Sequence, residues 1–507
     1  MLSQVLSNIP EAFSLFFTPD NIGWCLLGSV LGMIFGAIPG LTATTAVALF
    51  TPMTFLMPFE ASMSFLLGIY AAGYYSGSIP AILLKTPGAP GNAATVMEGY
   101  PMALSGRAGE ALGASIVSSC FGGILAALAL MFFAPLLSLI ALRFGQAEYF
   151  AAAVLGLVCV AMVSGKSLLK GIVSATVGML LGTVGMDPIV GTARFTFGNI
   201  NMLSGIALIP ALVALFAVSE VLDKADSLGK NVIEVAQVNK IMPKLSVFVK
   251  AKWTLLRGTV IGLLIGILPG TGPTIPSWLS YTETRRTSKH PERFGKGEVE
   301  GVMASEVANN AVPGGALIPL LTLGVPGDSV TAVILAALMI QGLAPGPLFI
   351  AEHYNLFDVI LWALVAANVF MLAMGLLGAR LFPLILKVPT KIILPLITVL
   401  AVIGGYASNN SIFDVKMLAV LGIIGYVMQK FEFPIPPVVL GLILGPIAEP
   451  NLRRALISSQ MDPSIFITRP ISAGLLILAV VLALFVLPRM LRQTNTDLPY
   501  ENNNVSK

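Results

Sequence analysis

Long apolar runs separated by short polar islands fill almost the whole sequence. The runs lie at roughly 22–57, 61–84, 111–142, 147–164, 168–188, 202–219, 254–283, 302–323, 329–350, 356–386, 392–407, 414–428, 434–448 and 471–488. A helix needs roughly 20 apolar residues to cross a bilayer. The pattern therefore predicts an all-α polytopic membrane protein with roughly 10–14 membrane segments.

Composition supports this prediction and excludes other classes. Hydrophobic residues make up 56% of the chain and charged residues 11%, whereas soluble domains carry about 25% charged residues. The net charge of +4 is too small to indicate a nucleic-acid partner. Three cysteines (Cys25, Cys120 and Cys159) lie inside apolar runs, so we expect small buried side chains and neither a disulfide framework nor a metal site. We expect no tightly bound cofactor.

One long polar island divides the chain. It extends from Glu220 to Arg257 and is rich in lysine. The predicted organisation is a first membrane repeat at 1–220, a basic cytoplasmic connector at 221–257, a second membrane repeat at 258–490 and a disordered polar tail at 491–507. The amino terminus lacks the positive region of a cleaved signal peptide, so insertion would rely on internal spans.

The two predicted repeats share two motifs. GAIPGLTAT around Gly40 matches GILPGTGPT around Gly270, an offset of 230 residues (270 − 40) that also relates a ladder of glycines at every fourth position. These ladder glycines are Gly28, Gly32, Gly36, Gly258, Gly262 and Gly266. TPGAPGNAAT from Thr86 matches TLGVPGDSVT from Thr322 at an offset of 236 (322 − 86). We interpret the chain as a duplicated membrane unit whose copies meet around one site.

Charge suggests that the copies have opposite orientations. Basic residues flank the second glycine ladder on both sides, whereas the first Lys or Arg of the chain is Lys85. We suppose that each ladder enters the membrane, breaks at its Pro-Gly and returns as a hairpin, and Lys and Arg concentrate in cytoplasmic loops. Both ends of the second hairpin would then lie inside and both ends of the first outside. This is the pattern of inverted-topology repeats.

Broken helices at membrane depth survive where they are buried or line a wet cavity, and their free N–H and C=O groups suit anions and cations. We therefore predict a substrate or ion site at these breaks; the alternative is that Gly and Pro there only allow packing and kinks. The predicted site residues are Gly40, Thr42, Thr44, Thr86, Gly91, Asn92, Thr95, Gly270, Thr271, Thr274, Asn309, Asn310, Gly327, Asp328 and Ser329.

Ionisable residues inside a membrane are costly and usually functional. Lys85 and Glu306 are the candidates for charge coupling, although Lys85 could instead extend to the interface. Asp328 stands where the first copy has Asn92, which fits either a cation site or a helix N-cap. Asp187 and Arg194 are weaker candidates for interior charges. No phosphate-binding loop, HExxH or GxSxG motif is present, so we do not expect an enzyme.

Three stretches carry a resemblance: GAIPGLTAT, GSIPAILLKTPGAPGNAATVMEGYPMALSGRAGEALGAS, and the segment from Gly266 to Phe349 beginning GILPGTGPTIPSWLSYTETRR. From about Asn21 to Arg489 the chain resembles the large membrane subunit of tripartite tricarboxylate transporters. The resemblance implies a bacterial inner-membrane permease working with a small membrane subunit and a periplasmic solute-binding protein. It implies import of citrate-like or other carboxylates, driven by a Na⁺ or H⁺ gradient. It supplies no list of contact residues.

We expect the repeats to enclose the anion near mid-membrane while co-bound cations offset its charge, with a rocking or an elevator motion. Three alternatives stay open. The chain could be a stand-alone ion-coupled carrier or exporter, a channel, or a membrane scaffold that does not transport.

Overall fold

The protein is almost entirely helical. The computed structural model describes residues 2–163, 167–226, 243–379, 381–386, 388 and 390–494, so most of the predicted connector and tail (227–242 and 495–507) lies outside the described residues. The helices up to the connector are α1 (Leu2–Phe16), α2 (Pro19–Ala37), α3 (Ala43–Phe50), α4 (Phe59–Ser76), α5 (Ser78–Leu84), α6 (Ala93–Leu104), α7 (Ala108–Ala141), α8 (Gln146–Val163), α9 (Leu168–Gly182), α10 (Leu208–Val213) and α11 (Ser219–Ala225).

The helices after the connector are α12 (Leu245–Lys250), α13 (Lys252–Gly266), α14 (Thr274–Thr287), α15 (Val299–Leu323), α16 (Ser329–Ile340), α17 (Phe349–Glu352), α18 (Tyr354–Gly378), α19 (Phe382–Ile385), α20 (Thr390–Ala407), α21 (Ile412–Lys430), α22 (Ile435–Ser458), α23 (Ile465–Thr468) and α24 (Pro470–Thr494). A π-helical turn, Ala214–Val218, joins α10 to α11. Two short antiparallel strands, β1 (Gly185–Met186) and β2 (Ala193–Arg194), form a hairpin between α9 and α10.

This architecture confirms the all-α polytopic prediction. Among the described residues, six helices are long and apolar enough to cross a membrane, counting α4 and α5 as one. Several other apolar helices have only 10–17 residues. The two apolar runs at 22–57 and 254–283 do not form single helices, because each breaks at its Pro-Gly. Gly40 (φ +87°) and Gly270 (φ +77°) adopt the left-handed backbone that these turns need.

The glycine ladders let α2 and α13 approach neighbouring helices closely. A Cβ on Gly32 would lie 2.5 Å from the carbonyl oxygen of Ile69 on α4. One on Gly262 would lie 2.3 Å from the carbonyl oxygen of Ala308 on α15. Successive ladder glycines contact successively later residues of the partner helix. Helix α2 is therefore parallel to α4, and α13 is parallel to α15. Ala308 and Ile69 are 239 residues apart (308 − 69), and this offset holds along the two central helices.

The structure revises the register predicted for the second motif. Thr86 N donates to Pro80 O (3.4 Å), and Val325 N donates to Pro319 O (3.3 Å), an equivalence with an offset of 239 (325 − 86). Gly88 and Gly327 are likewise equivalent. Gly88 lies against Gly36 and Gly77, and Gly327 lies against the matching residues Gly266 and Ala316. The offset of 236 therefore holds only from Asn92 and Asp328 onward.

The error has a simple origin in the sequence. The first copy contains two Pro-Gly steps in succession, Pro87-Gly88 and Pro90-Gly91, whereas the second copy contains one, Pro326-Gly327. Residue identity alone aligns Pro326-Gly327 with Pro90-Gly91, whereas the structure aligns it with Pro87-Gly88. In the structure, the residues at 89–91 are an insertion that the second copy lacks. The proposed pairs Thr86/Thr322, Gly88/Gly324, Pro90/Pro326 and Gly91/Gly327 are therefore wrong, and Thr95/Thr331 is retained.

Equivalent helices of the two halves run in opposite directions. On α7 and α18, Gly123 lies against Asn368 while Ile116 lies against Gly375, which is an antiparallel arrangement. The re-entrant helix α6 ends near the start of α15, where Glu98 accepts from the Gly297 N–H (2.8 Å). Conversely, α16 ends near the start of α4, where the Gln341 amide donates to Thr54 O (3.3 Å).

Both ends of each hairpin lie at the same end of the bundle. Arg257 near the start of α13 donates to Thr287 at the end of α14 (2.8 Å). Gly28 of α2 lies against Phe65 in the first half of α4, and the turn that follows α3 leads directly into α4. Since α4 runs opposite to α15, the two hairpins enter the bundle from opposite ends.

We expect Gly32→Val to destabilise the protein, because its side chain would have to displace the α4 backbone. Overpacking of this kind costs about 1–3 kcal/mol or more. The matched control is Gly23→Val on the same helix, where a Cβ meets no atom within 4 Å. Thermal unfolding of the purified variants in detergent should show a lowered Tm for Gly32→Val alone. Equal Tm values would contradict the close packing described for α2 and α4.

Candidate substrate and ion site

Two re-entrant helices begin deep inside the bundle. Asn92 precedes α6 and Asp328 precedes α16, and both side chains are buried. Each lies beside the central helices α4 and α15, which are themselves buried along nearly their whole lengths. The breaks of the two halves therefore meet in one polar centre surrounded by apolar helices.

Glu306 forms one part of this centre. Its carboxylate accepts hydrogen bonds from the Asn92 amide (3.3 Å), the Thr95 hydroxyl and the Ser119 hydroxyl (3.2 Å). The Thr95 hydroxyl also contacts the Ser305 hydroxyl (3.0 Å). These donors come from α6, the residue preceding it, and α7, all in the first half of the chain. Glu306 thus joins the two halves.

Asp328 forms the other part. One carboxylate oxygen accepts from the hydroxyls of Tyr70 and Tyr74, both at 2.5 Å. The other accepts from the Thr331 N–H (2.7 Å) and the Thr331 hydroxyl (2.8 Å). The Asp328 N–H donates to the Thr331 hydroxyl (2.9 Å), which completes a capping box. Of the two roles considered for Asp328, the structure shows the N-cap.

A backbone carbonyl connects the two parts. Tyr74 O accepts from the amides of Asn92 (3.1 Å) and Asn309 (2.9 Å). Gly91 approaches the same point, because a Cβ there would lie 2.6 Å from the Asn309 amide oxygen. Asn310 is buried next to Asn309, and neither of its amide atoms has a hydrogen-bond partner in the described part of the chain.

The second hairpin tip reaches this centre and the first does not. Gly270 N donates to Gly327 O (2.7 Å). Thr271 and Thr274 lie beside this tip, where the Thr271 hydroxyl donates to Ile265 O (2.7 Å) and Thr274 begins α14. In contrast, Gly40 packs against the side chain of Lys224 on α11.

The remaining predicted residues lie away from the centre or at its margin. Thr42 accepts from the Thr45 N–H (3.2 Å) as the N-cap of α3, and Thr44 is half-buried on that helix. Lys85 and Thr86 are exposed, and the Lys85 ammonium lies over the Tyr100 ring at 5.8 Å. Ser329 is half-buried at the start of α16.

Asp187 and Arg194 belong to a network of ion pairs. Both belong to the β1–β2 hairpin, where Asp187 pairs with Arg194 and with Arg453 (2.7 Å), and Arg194 also pairs with Glu449 (2.8 Å). The N–H of Val190, followed by the Arg453 guanidinium, holds the pKa of Asp187 well below its usual range. This network fixes the hairpin against α22.

Sequence reasoning missed several contributors to the centre. Tyr70, Tyr74 and Ser119 lie in apolar runs with no motif around them, and the spacing of four between the tyrosines was the only available signal.

Glu98, which lies away from the centre, was also missed. Its carboxylate accepts from the N–H groups of Gly295, Gly297 and Glu298 and from the Tyr281 hydroxyl, which ties α6 to the segment preceding α15.

The fold is that of a polytopic α-helical membrane protein in which broken helices meet in a buried polar centre. The chain belongs to the tripartite tricarboxylate transporter TctA family, whose profile matches residues 22–440. It is therefore a multi-pass membrane transporter component, of a family that works within tripartite systems.

Two relatives come from Agrobacterium vitis. The "Uncharacterized 52.8 kDa protein in TAR-I ttuC' 3'region" is 38% identical over 475 residues, covering 94% of this chain and 95% of the relative. The "Uncharacterized protein in TAR-II ttuC' 3'region" is 38% identical over 242 residues, covering 48% of this chain and all of the relative. No solved structure matches the chain.

We expect Asp328→Ala to destabilise the protein strongly. The change removes an N-cap, which costs about 1 kcal/mol, and leaves two buried tyrosine hydroxyls without acceptors, at about 1–3 kcal/mol each. Asp20→Ala is the control, since Asp20 lies in the first turn of α2 but is exposed. Urea or thermal unfolding in detergent would measure the difference. Similar stability of the two variants would contradict the capping role.

Proposed function

We propose that this chain is the permease subunit of a tripartite, binding-protein-dependent secondary transporter. It imports tricarboxylates or related organic acid anions across the bacterial inner membrane by Na⁺ or H⁺ symport. A small membrane subunit and a periplasmic solute-binding protein are its partners. The supporting observation is that re-entrant breaks from two opposed halves meet in one buried polar centre, which is how many secondary carriers build a substrate site.

Recognition of the anion would rest on neutral donors and helix ends. Among the described residues, no Lys or Arg side chain hydrogen-bonds to Asn92, Asn309, Glu306 or Asp328. The N-termini of α6 and α16 carry partial positive charge, and the Asp328 side chain caps part of the α16 end. We assign the substrate's carboxylates to these ends, with Asn309 and the tip at Gly270–Thr274 as neighbours. Exposed Lys85 is not part of this proposed site.

We also propose that the halves are inverted-topology repeats with the basic end in the cytoplasm. The antiparallel arrangement of α7 with α18 supports this, as do the opposed hairpins. Charge supports the sidedness: residues 250–296 are rich in Lys and Arg, while residues 18–60 and 341–358 contain neither.

Labelling of single cysteines in a background lacking Cys25, Cys120 and Cys159 tests this topology. Lys252→Cys and Arg286→Cys should react only with reagent added from the cytoplasmic side, whereas Asp20→Cys and Pro58→Cys should react only from outside. All four positions are exposed. Labelling of Lys252→Cys and Arg286→Cys from opposite sides would refute the re-entrant second hairpin.

Uptake in proteoliposomes tests the transport proposal. We expect carboxylate uptake under an imposed Na⁺ or H⁺ gradient only when the small subunit and the binding protein are both present. Thr274→Val should lower uptake because it alters a hydroxyl at the proposed site, while Thr398→Val, at an exposed position on α20, should not.

Other outcomes identify the alternatives. Uptake by the chain alone would indicate a stand-alone carrier, and flux insensitive to any ion gradient would indicate a channel. Full uptake after Thr274→Val and Thr44→Val would remove these tips from the mechanism.

A further inference from the structure

The two buried carboxylates of the polar centre differ in how their charge is stabilised. Asp328 lies at the N-terminus of α16, where the helix dipole favours an anion, and accepts from two tyrosine hydroxyls and from both donors of Thr331. Glu306 lies two turns inside α15, beyond the first turn over which the helix dipole acts. The Asp328 carboxylate is thus surrounded by four donors and a helix N-terminus, and Glu306 lacks an equivalent arrangement.

Glu306 has neutral partners only. It accepts from Asn92, Thr95 and Ser119, and none of the described Lys, Arg or His residues pairs with it. The side chain is fully buried. An ionised carboxylate inside a membrane protein is costly unless a positive charge accompanies it. Glu306 therefore needs either a bound cation or a proton.

Unpaired amide groups next to Glu306 point to a ligand. Asn310 follows Glu306 by four residues on the same helix, so both side chains lie on one face. Its side chain is 1% exposed, and both amide atoms lack partners among the described residues. The Asn92 amide oxygen, also buried, has none either. Buried polar atoms of this kind are costly to leave unpaired, and here two of them are oxygens.

We propose that Glu306, Asn92 and Asn310, together with the hydroxyls of Thr95 and Ser119, form the binding site for one monovalent cation, either Na⁺ or H⁺. Carboxylate, amide and hydroxyl oxygens are ligands that hard cations prefer. The described residues contain no group of three His, Cys, Asp or Glu side chains that could hold a multivalent metal. That this cation couples the ion gradient to anion import rests on the proposed function.

The geometry gives the cation a route to the anion site. Asn92 contacts Glu306 and directly precedes α6, and its amide also donates to Tyr74 O. Neighbouring Gly91 lies against Asn309. Occupancy at Glu306 therefore fixes the helix N-terminus that is assigned to the substrate.

Other titratable groups lie on the elements around Glu306. Those near the centre are Tyr70, Tyr74 and Tyr75 on α4, Cys120 on α7 and Asp328 before α16. Those near the basic end are Glu98 on α6, Glu110 on α7, Lys252 and Arg257 on α13, Tyr281, Glu283, Arg285 and Arg286 on α14, and Glu300 on α15 itself. Comparison with a Glu306 variant separates its contribution from theirs.

The test uses the purified full-length chain in lipid nanodiscs. Its Tm is measured against NaCl at constant ionic strength with choline chloride, and against pH in choline alone. For a Na⁺ site, NaCl should raise the Tm of the wild type and have no effect on Glu306→Gln. For a proton site, the wild type should ignore NaCl and gain Tm as the pH falls, and Glu306→Gln should lose that gain. Asp20→Asn, at an exposed position in the first turn of α2, should keep whichever response the wild type shows.

A second pair of variants decides the matter if Glu306→Gln does not fold. For a Na⁺ site, Asn310→Ala should raise the half-stabilising NaCl concentration about tenfold, as the loss of supporting groups does at other ion sites. For a proton site, it should move the pH midpoint of stabilisation. Asn368→Ala, which removes another buried amide outside this cluster, should change neither.

The proposal is overturned if the wild type responds to neither NaCl nor pH, or if Glu306→Gln keeps the response that the wild type shows. It is also overturned if Asn310→Ala and Asn368→Ala behave alike. These measurements require no transport. A retained ion response in a protein that fails in the uptake assay would refute the proposed symport and leave the cation site intact.

Discussion

The structure depends on one constraint: polar backbone groups at membrane depth must find partners within the protein. Two re-entrant loops and one hairpin tip meet this constraint through contacts such as Gly88 N with Gly77 O and Gly270 N with Gly327 O. Tyr74 O, from the first half, accepts from Asn309 of the second. The backbone at the breaks is thus satisfied within each half, whereas side-chain contacts such as Asn309 with Tyr74 O and Asn92 with Glu306 join the two halves. The packing of α7 on α15 and of α18 on α4 also joins them.

The two copies share a backbone architecture but carry different side chains at equivalent positions of the polar centre. At the offset of 239, Glu306 corresponds to Leu67 and Asn309 corresponds to Tyr70. The acid of one half-site thus lies on a central helix, and the acid of the other is the cap Asp328. Each re-entrant helix still meets one carboxylate and a set of neutral donors. The glycines and prolines of the two copies maintain the architecture, whereas the positions that differ between the copies determine the chemistry.

Structural features that depend on a local sequence pattern could be predicted from the sequence. The all-α class, the hairpins and the glycine ladders follow from apolar length and from glycine at every fourth position. The register of the second motif could not be predicted, because a doubled Pro-Gly gives two equally good matches. Tyr70 and Tyr74 lie in an unbroken apolar helix, and only tertiary contact with Asp328 identifies their role. The position of Gly40 beside Lys224 likewise depends on how α11 packs, which no local pattern encodes.

The proposed cation would reduce the electrostatic repulsion between the buried carboxylates and the proposed anionic substrate. A centre that contains two carboxylates repels an approaching tricarboxylate, and repulsion is strong where the dielectric is low. Asp328 is stabilised by the cap of α16 and by two tyrosines, so its charge is already compensated locally. A positive charge at Glu306 removes the remaining repulsion and orders Asn92 at the start of α6. The anion would then meet two organised helix N-termini, so cation binding should precede or accompany anion binding in this architecture.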